Sequence, residues 1–109
     1  MMVQGKKYDM NKERMDLVPW SSVREMAKVL TFGADKYGDH NWRNGIEHSR
    51  LYAATMRHLT SYWLGESVDP ESGLSHLAHA MTNLAMMTES PEYDDRYFRE
   101  TGDDSEEIV

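Results

Sequence analysis

The chain has 109 residues, no cysteine and a net charge of −7, the size of one domain whose small core makes oligomerisation an effective way to bury more surface. The missing cysteines exclude disulfides, thiolate nucleophiles and Cys-based zinc sites. No run approaches the roughly 18 apolar residues of a membrane span and the first nine residues lack the apolar centre of a signal peptide, so we expect a soluble, non-secreted, cytoplasmic protein.

Residues 1–18 mix Lys6, Lys7, Lys12 and Arg14 with scattered apolar side chains and no period, which predicts an irregular arm able to fold over a ligand. A first helix is expected after Pro19-Trp20, because Ser22-x-x-Glu25 fits a capping box. Val23, Met26, Ala27, Leu30 and Ala34 then share one face. Gly33 and Gly38 bracket the expected end, and residues 38–41 read as a loop.

A second helix is predicted over residues 47–64, with Tyr52, Met56, Leu59 and Trp63 at the spacing of a buried stripe and Gly65 at its end. The third carries a strong start signal: Asp69 as N-cap, Pro70 at the first helical position and Glu71 near the positive end of the dipole. It should run to Met87 or Thr88, ahead of Pro91. Residues 90–109 hold eight acids against Arg96 and Arg99, while the rest of the chain is nearly neutral. We therefore divide the chain into a helical domain, 1–89, and an acidic tail, 90–109, in which Tyr93, Tyr97 and Phe98 can make a short docked turn. The expected architecture is all-α: a small bundle of three main helices with an irregular N-terminal arm, completed by oligomerisation.

The chemistry lies in a polar line where core residues would be expected. Ser72, His76, His79 and Asn83 recur at i, i+4, i+7 and i+11, flanked by Leu74, Leu77, Ala78, Met81 and Leu84. Burying such a line is costly unless its groups are satisfied, and a ligand or metal would satisfy them. The second helix answers with Leu51, Ala54, His58 and Ser61, Arg57 lying beside the histidine. In an antiparallel hairpin His58 and His79 approach each other, and the turn adds Glu66, Asp69 and Glu71. Imidazoles and carboxylates are the donors that divalent metals accept, carboxylates being the hard ligands for magnesium or manganese. Each residue also has a structural role open to it: Glu25 and Asp69 as caps, the histidines as hydrogen-bonded core residues, the nine methionines as core filler.

Residues 32–43 concentrate a second set of groups. Lys36 and Arg43 can meet phosphate oxygens, Asn41 can read a base edge, and Tyr37 or Trp42 can stack on a base. The same residue types equally suit a helix end whose aromatic side chains anchor a loop.

Taken in order, Asn11-Lys12-Glu13-Arg14-Met15-Asp16-Leu17-Val18-Pro19, Phe32-Gly33-Ala34-Asp35-Lys36-Tyr37-Gly38 with Asn41-Trp42, Arg57-His58, and Gly65-Glu66-x-x-Asp69-x-Glu71-Ser72-Gly73-x-x-His76-Leu77-x-His79 resemble the phage-type dATP/dGTP diphosphohydrolase N-terminal family over residues 11–88. The resemblance implies hydrolysis of a purine deoxynucleoside triphosphate to monophosphate and pyrophosphate with a divalent metal. It also implies kinship with the MazG-like all-α nucleotide pyrophosphatases, a dimer or tetramer, and, for a phage-encoded chain, residence in the host cytoplasm. MazG-like enzymes typically carry Glu-x-x-Glu on one helix and Glu-x-x-Asp on the next, a pair that the second and third helices lack.

The resulting expectation is Mg2+ or Mn2+ held chiefly by Glu66, Asp69 and Glu71, with His76 and His79 completing the shell. His58, Glu71 and His79 are the expected catalytic groups, and Lys12, Arg14, Lys36, Tyr37, Asn41, Trp42 and Arg57 the substrate-binding ones. His-Asp phosphohydrolase chemistry is disfavoured because no His-Asp dipeptide occurs. The non-enzymatic alternative is a nucleotide-sensing or protein-binding module. No basic recognition helix supports stable nucleic-acid binding.

Overall fold

The computed structural model describes residues 4–96. Three helices, α1 (Trp20–Tyr37), α2 (His48–Trp63) and α3 (His76–Glu89), are joined by irregular segments with 3-10 turns at Met15–Leu17, Asn41–Asn44 and Pro91–Tyr93. Among the described residues there is no β-strand, only an isolated antiparallel bridge between Val68 and Ser75. The all-α expectation holds. No described helix is long and apolar enough to cross a membrane.

The α2–α3 hairpin is the centre of the molecule, and α1 packs mainly on α3. An ion pair of 3.1 Å between Lys36, near the end of α1, and Glu71, just before α3, shows that α1 points toward the α2–α3 connection. It therefore runs in the same direction as α2 and antiparallel to α3, and residues 38–47 carry the chain back to the far end. Gly38 (φ +95) stops α1 and Gly45 (φ +112) turns the chain into α2.

The bounds of α2 match the expectation, with Glu47 and Leu64 flanking it as caps. Its inner face is the reverse of the apolar stripe. Leu51 and Thr55 are buried whereas Tyr52, Met56, Leu59 and Trp63 are exposed, Trp63 to 85%. The reason is the small size of the facing surfaces: Ala78, Ala80 and Thr82 are the buried residues of α3 alongside His76. Thr55 and Thr82 donate their hydroxyls to the carbonyls of Leu51 and Ala78 one turn back, at 2.7 and 2.8 Å, and so pack as satisfied, compact side chains.

Two predicted starts are corrected. α1 begins at Trp20 with Pro19 in the cap position and no side-chain cap, so Ser22-x-x-Glu25 is not a capping box. Glu25 instead pairs with Lys28 at 2.6 Å. The helix passes through Gly33, and it is Val29 that it buries, while Ala27 and Leu30 turn outward. α3 begins at His76 with Ser75 as N-cap, its hydroxyl accepting the Leu77 amide at 3.1 Å. Asp69-Pro70-Glu71 belongs to a tight turn in which Gly73 (φ +72) donates its amide to the Asp69 carbonyl. Proline suits a turn as well as a helix start, and the positive φ at Gly73 keeps the helix from propagating through it.

At the opposite end, residues 90–96 fold back onto α2. The Asp95 carboxylate accepts the amide of Ser49 at 2.9 Å and also its hydroxyl, capping α2 from 46 residues away. Buried His48 donates Nε2–H to the Ser90 carbonyl at 2.8 Å. Tyr93 docks with its hydroxyl 3.3 Å from the Asn44 carbonyl; Tyr97 and Phe98, the rest of the expected docked turn, lie outside the described residues. A Cβ on Gly45 would enter the Tyr93 ring at a backbone angle that L residues rarely adopt. Gly45→Ala should therefore destabilise the fold by about 1–3 kcal/mol. Urea unfolding checks this, and part of the loss should be relieved in a Tyr93→Ala background.

Candidate functional site

The site forms where α2 ends and α3 begins. Residues 64–75 leave α2 through Gly65 (φ +106) and return through an antiparallel closure: the Asp69 amide donates to the Leu74 carbonyl at 2.8 Å and the His76 amide to the Ser67 carbonyl at 3.0 Å. This closure aims Glu66, Asp69 and Ser72 at the histidines of the two helices.

His58 of α2 and His79 of α3 stack with ring centroids 4.5 Å apart and planes 6° from parallel. His76, only 3% exposed, lies 2.8 Å from His58 through the two Nδ1 atoms and donates Nε2–H to Glu66 at 2.7 Å. Ser72 Oγ donates to Asp69 at 2.9 Å and lies 2.7 Å from His79 Nε2, which is itself 3.5 Å from the same carboxylate. Three imidazoles and two carboxylates thus form one connected polar unit, with Ser72 as a link. Among the described residues no buried side-chain nitrogen or oxygen lacks a partner, as a stable polar seam requires.

Burial holds His58 below the ordinary histidine range, reinforced by His79 and His76. Burial also lowers His79, against the opposing pull of Asp69. Both rings are therefore biased toward the neutral form, which can accept a proton. For Asp69 burial opposes ionisation, but the hydroxyl and amide of Ser72 outweigh it and hold the carboxyl below its usual range.

The remaining expected residues divide into a rim and outliers. Glu71, close enough to His79 to act on its charge, meets Lys36 in an exposed ion pair, which raises the Lys36 pKa, with the lysine 5.2 Å from the centre of the Tyr37 ring. Arg57 is exposed next to His58. Asn41 and Trp42 sit in the return segment, Trp42 4.4 Å beneath the Arg43 guanidinium. On the arm, Arg14 is spent on Asp16 at 2.7 Å and Lys12 is exposed. No hydrogen bond or ion pair among the described residues joins Lys12, Arg14, Asn41 or Trp42 to the histidine unit. Ser72 belongs to the unit although its sequence signal was only its place in the polar stripe.

As a metal cage this arrangement does not fit. Among the described residues no group of three or more His, Asp or Glu side chains is placed to hold an ion. Both ring nitrogens of His76 are engaged, and Glu66, Asp69 and Glu71 are held by His76, Ser72 and Lys36. Because His58 and His79 lie in nearly parallel planes, their in-plane lone pairs cannot meet on a single ion without turning a ring.

These features define the class: an all-α helical hairpin whose connection builds a histidine–carboxylate site. The family model described as dATP/dGTP diphosphohydrolase, N-terminal, matches residues 2–96, and the chain belongs to that family. It is 35% identical over 96 residues to a dATP/dGTP diphosphohydrolase of Salmonella phage PMBT28, covering 84% of this chain and 33% of the phage protein. The chain thus spans about a third of the length of that relative. No solved structure matches it.

The lowered pKa values set a pH dependence. The unfolded chain binds more protons than the folded one between the folded values of His58 and His79 and the unfolded value of about 6.5, so stability is complete above that range and falls as pH drops through it. Urea unfolding at about pH 7.5 and about pH 5.5 should show the loss. Changing both histidines to Gln should flatten the profile, and a wild-type profile already flat would contradict the assignment.

Proposed function

We propose that this chain hydrolyses a purine deoxynucleoside triphosphate, dATP or dGTP, to the monophosphate and pyrophosphate. The observation that carries the reading is the stacked pair His58–His79, whose rings burial biases toward the neutral form and whose hydrogen-bond chains end on Glu66 and Asp69; family membership and the activity named for the phage relative support the substrate class. The divalent ion of this proposal, Mg2+ or Mn2+, enters as part of the substrate, bound to the triphosphate.

In the reaction a water oxygen forms a bond to the α-phosphorus while the bond from that phosphorus to the α,β-bridging oxygen breaks. Pyrophosphate leaves with the bridging oxygen, and the water's proton passes to a neutral imidazole of the pair. Lys36, released from Glu71, meets the phosphate oxygens, with Arg57, Lys12 and Arg14 as further positive charge. Asn41, Trp42 and Tyr37 are the groups we assign to the base.

We further propose that the active species is a homo-oligomer, a dimer or tetramer. Among the described residues few apolar side chains are buried, namely Val29, Leu51, Ala78 and Ala80. An open groove of about 440 Å³ lined by Leu59, Thr60, Tyr62, Trp63, Leu64 and Leu77 lies on the outside of the hairpin, with Trp63 and Leu64 85% and 80% exposed, apolar surface that a second copy would cover. Sedimentation should find no monomer at micromolar concentration, and Trp63→Glu should shift the population toward it.

Turnover with product identification tests the activity. Pyrophosphate and a deoxynucleoside monophosphate are expected from dATP or dGTP with Mg2+ or Mn2+. His79→Ala should lower the rate on the order of 10²–10⁴-fold with the helical signal intact. Tripolyphosphate as product would point to a different hydrolase. Binding without turnover would favour a nucleotide-sensing module, a reading that draws on the chain spanning only a third of its relative.

A further inference from the structure

We infer that Ser72 and Glu66 are positioning residues that hold His79 and His58 in opposite neutral tautomers, leaving His79 Nδ1 and His58 Nε2 as the site's two open lone pairs. The role this gives them in turnover rests on the proposed hydrolysis; the tautomers themselves do not.

The argument is a proton count with all three rings neutral. The Glu66 carboxylate can only accept, so His76 carries its proton on Nε2, 2.7 Å away. A neutral ring has one N–H, which makes His76 Nδ1 an acceptor. His58 therefore donates Nδ1–H across the 2.8 Å between the two Nδ1 atoms, and its own Nε2 bears the lone pair.

The second chain of bonds starts at Asp69. Ser72 gives its single hydroxyl proton to that carboxylate at 2.9 Å and accepts the Leu74 amide at 3.1 Å. Its remaining lone pair accepts His79 Nε2–H at 2.7 Å, so the lone pair of His79 is on Nδ1. Neither His58 Nε2 nor His79 Nδ1 has a hydrogen-bond partner among the described residues. Neither is a buried orphan, so both stay within reach of solvent.

One loop supplies both anchors. Residues 66 and 72 lie on the connection closed by the Val68–Ser75 bridge, so its geometry fixes two rings on two different helices. His58 is held as Nδ1–H through His76, and His79 as Nε2–H through Ser72. With the rings stacked at 4.5 Å, the result is two separate acceptors side by side.

Long-range nitrogen–proton NMR of the labelled full chain at about pH 8, above the ordinary imidazole range, reads the tautomers directly. We expect Nδ1–H for His58 and Nε2–H for His76 and His79. Ser72→Ala should move His79 toward a mixture while leaving His58 unchanged, and should lower kcat about 10–100-fold, the usual scale for a residue orienting a functional histidine. Its KM should change little, and Ser72→Thr should recover the His79 signal. A proton on Nε2 of wild-type His58, or an unaltered His79 signal in folded Ser72→Ala, overturns the inference. Should Ser72→Ala not fold, the wild-type spectrum decides alone. The expected tautomers without nucleotide turnover would support the relay and defeat the hydrolase reading.

Discussion

Packing imidazoles between two helices takes His76 and one edge each of His58 and His79 out of water, and this hairpin is possible because its connecting loop returns hydrogen-bond partners to them. An unsatisfied buried polar group costs about 1–3 kcal/mol. Glu66 answers His76, His76 answers His58, and Ser72 with Asp69 answers His79. The loop is therefore part of the core as much as part of the site. Its backbone closure between residues 67 and 76 supports α3 at its first residue, so a change that loosened it would affect helix packing and imidazole orientation together.

The far end of the hairpin is held by a related device. α2 starts without a side-chain cap of its own, and Asp95 supplies one from beyond α3. Ser49 in turn keeps the Asp95 carboxyl below its usual range, and Arg96 holds neighbouring Asp94 down to about 2. Asp94 and Asp95 therefore stay charged through the neutral range, which suits a cap at the positive end of a helix. Each end of the α2–α3 pair is closed by an acidic segment folding back, the first building a site and the second fastening a helix.

This division explains which parts were legible in the sequence. The bounds of α2 could be read because an apolar-polar period ran between breakers at both ends, and the polar line of α3 because histidines at core spacing are costly without partners. The approach of His58 to His79 followed from hairpin geometry alone. The start of α3 could not be read: Asp69-Pro70-Glu71 satisfies the rules for a helix N-terminus and for a tight turn equally, and only the left-handed Gly73 and the bridge to Val68 separate them. The inner face of α2 was readable only through its line of Leu51 and His58, the first buried and the second stacked on His79, and not for the larger apolar stripe. Periodicity shows that Tyr52, Met56, Leu59 and Trp63 lie together but not whether they meet this chain or another surface.

That outward stripe and the inward polar seam are two sides of one constraint. Close approach of α2 and α3 depends on small residues, Ala78, Ala80, Thr55 and Thr82, and the room left at the seam's end is taken by imidazoles whose hydrogen bonds limit where they can sit. Replacing the seam with leucine would bury more apolar area but would push the helices apart and leave Glu66 and Asp69 without their partners. Large side chains are instead placed on the outside, where Trp63 and Leu64 are 85% and 80% exposed. A chain that commits its interior to polar chemistry has to find hydrophobic stabilisation elsewhere, and the surface it leaves uncovered is the material available for that purpose.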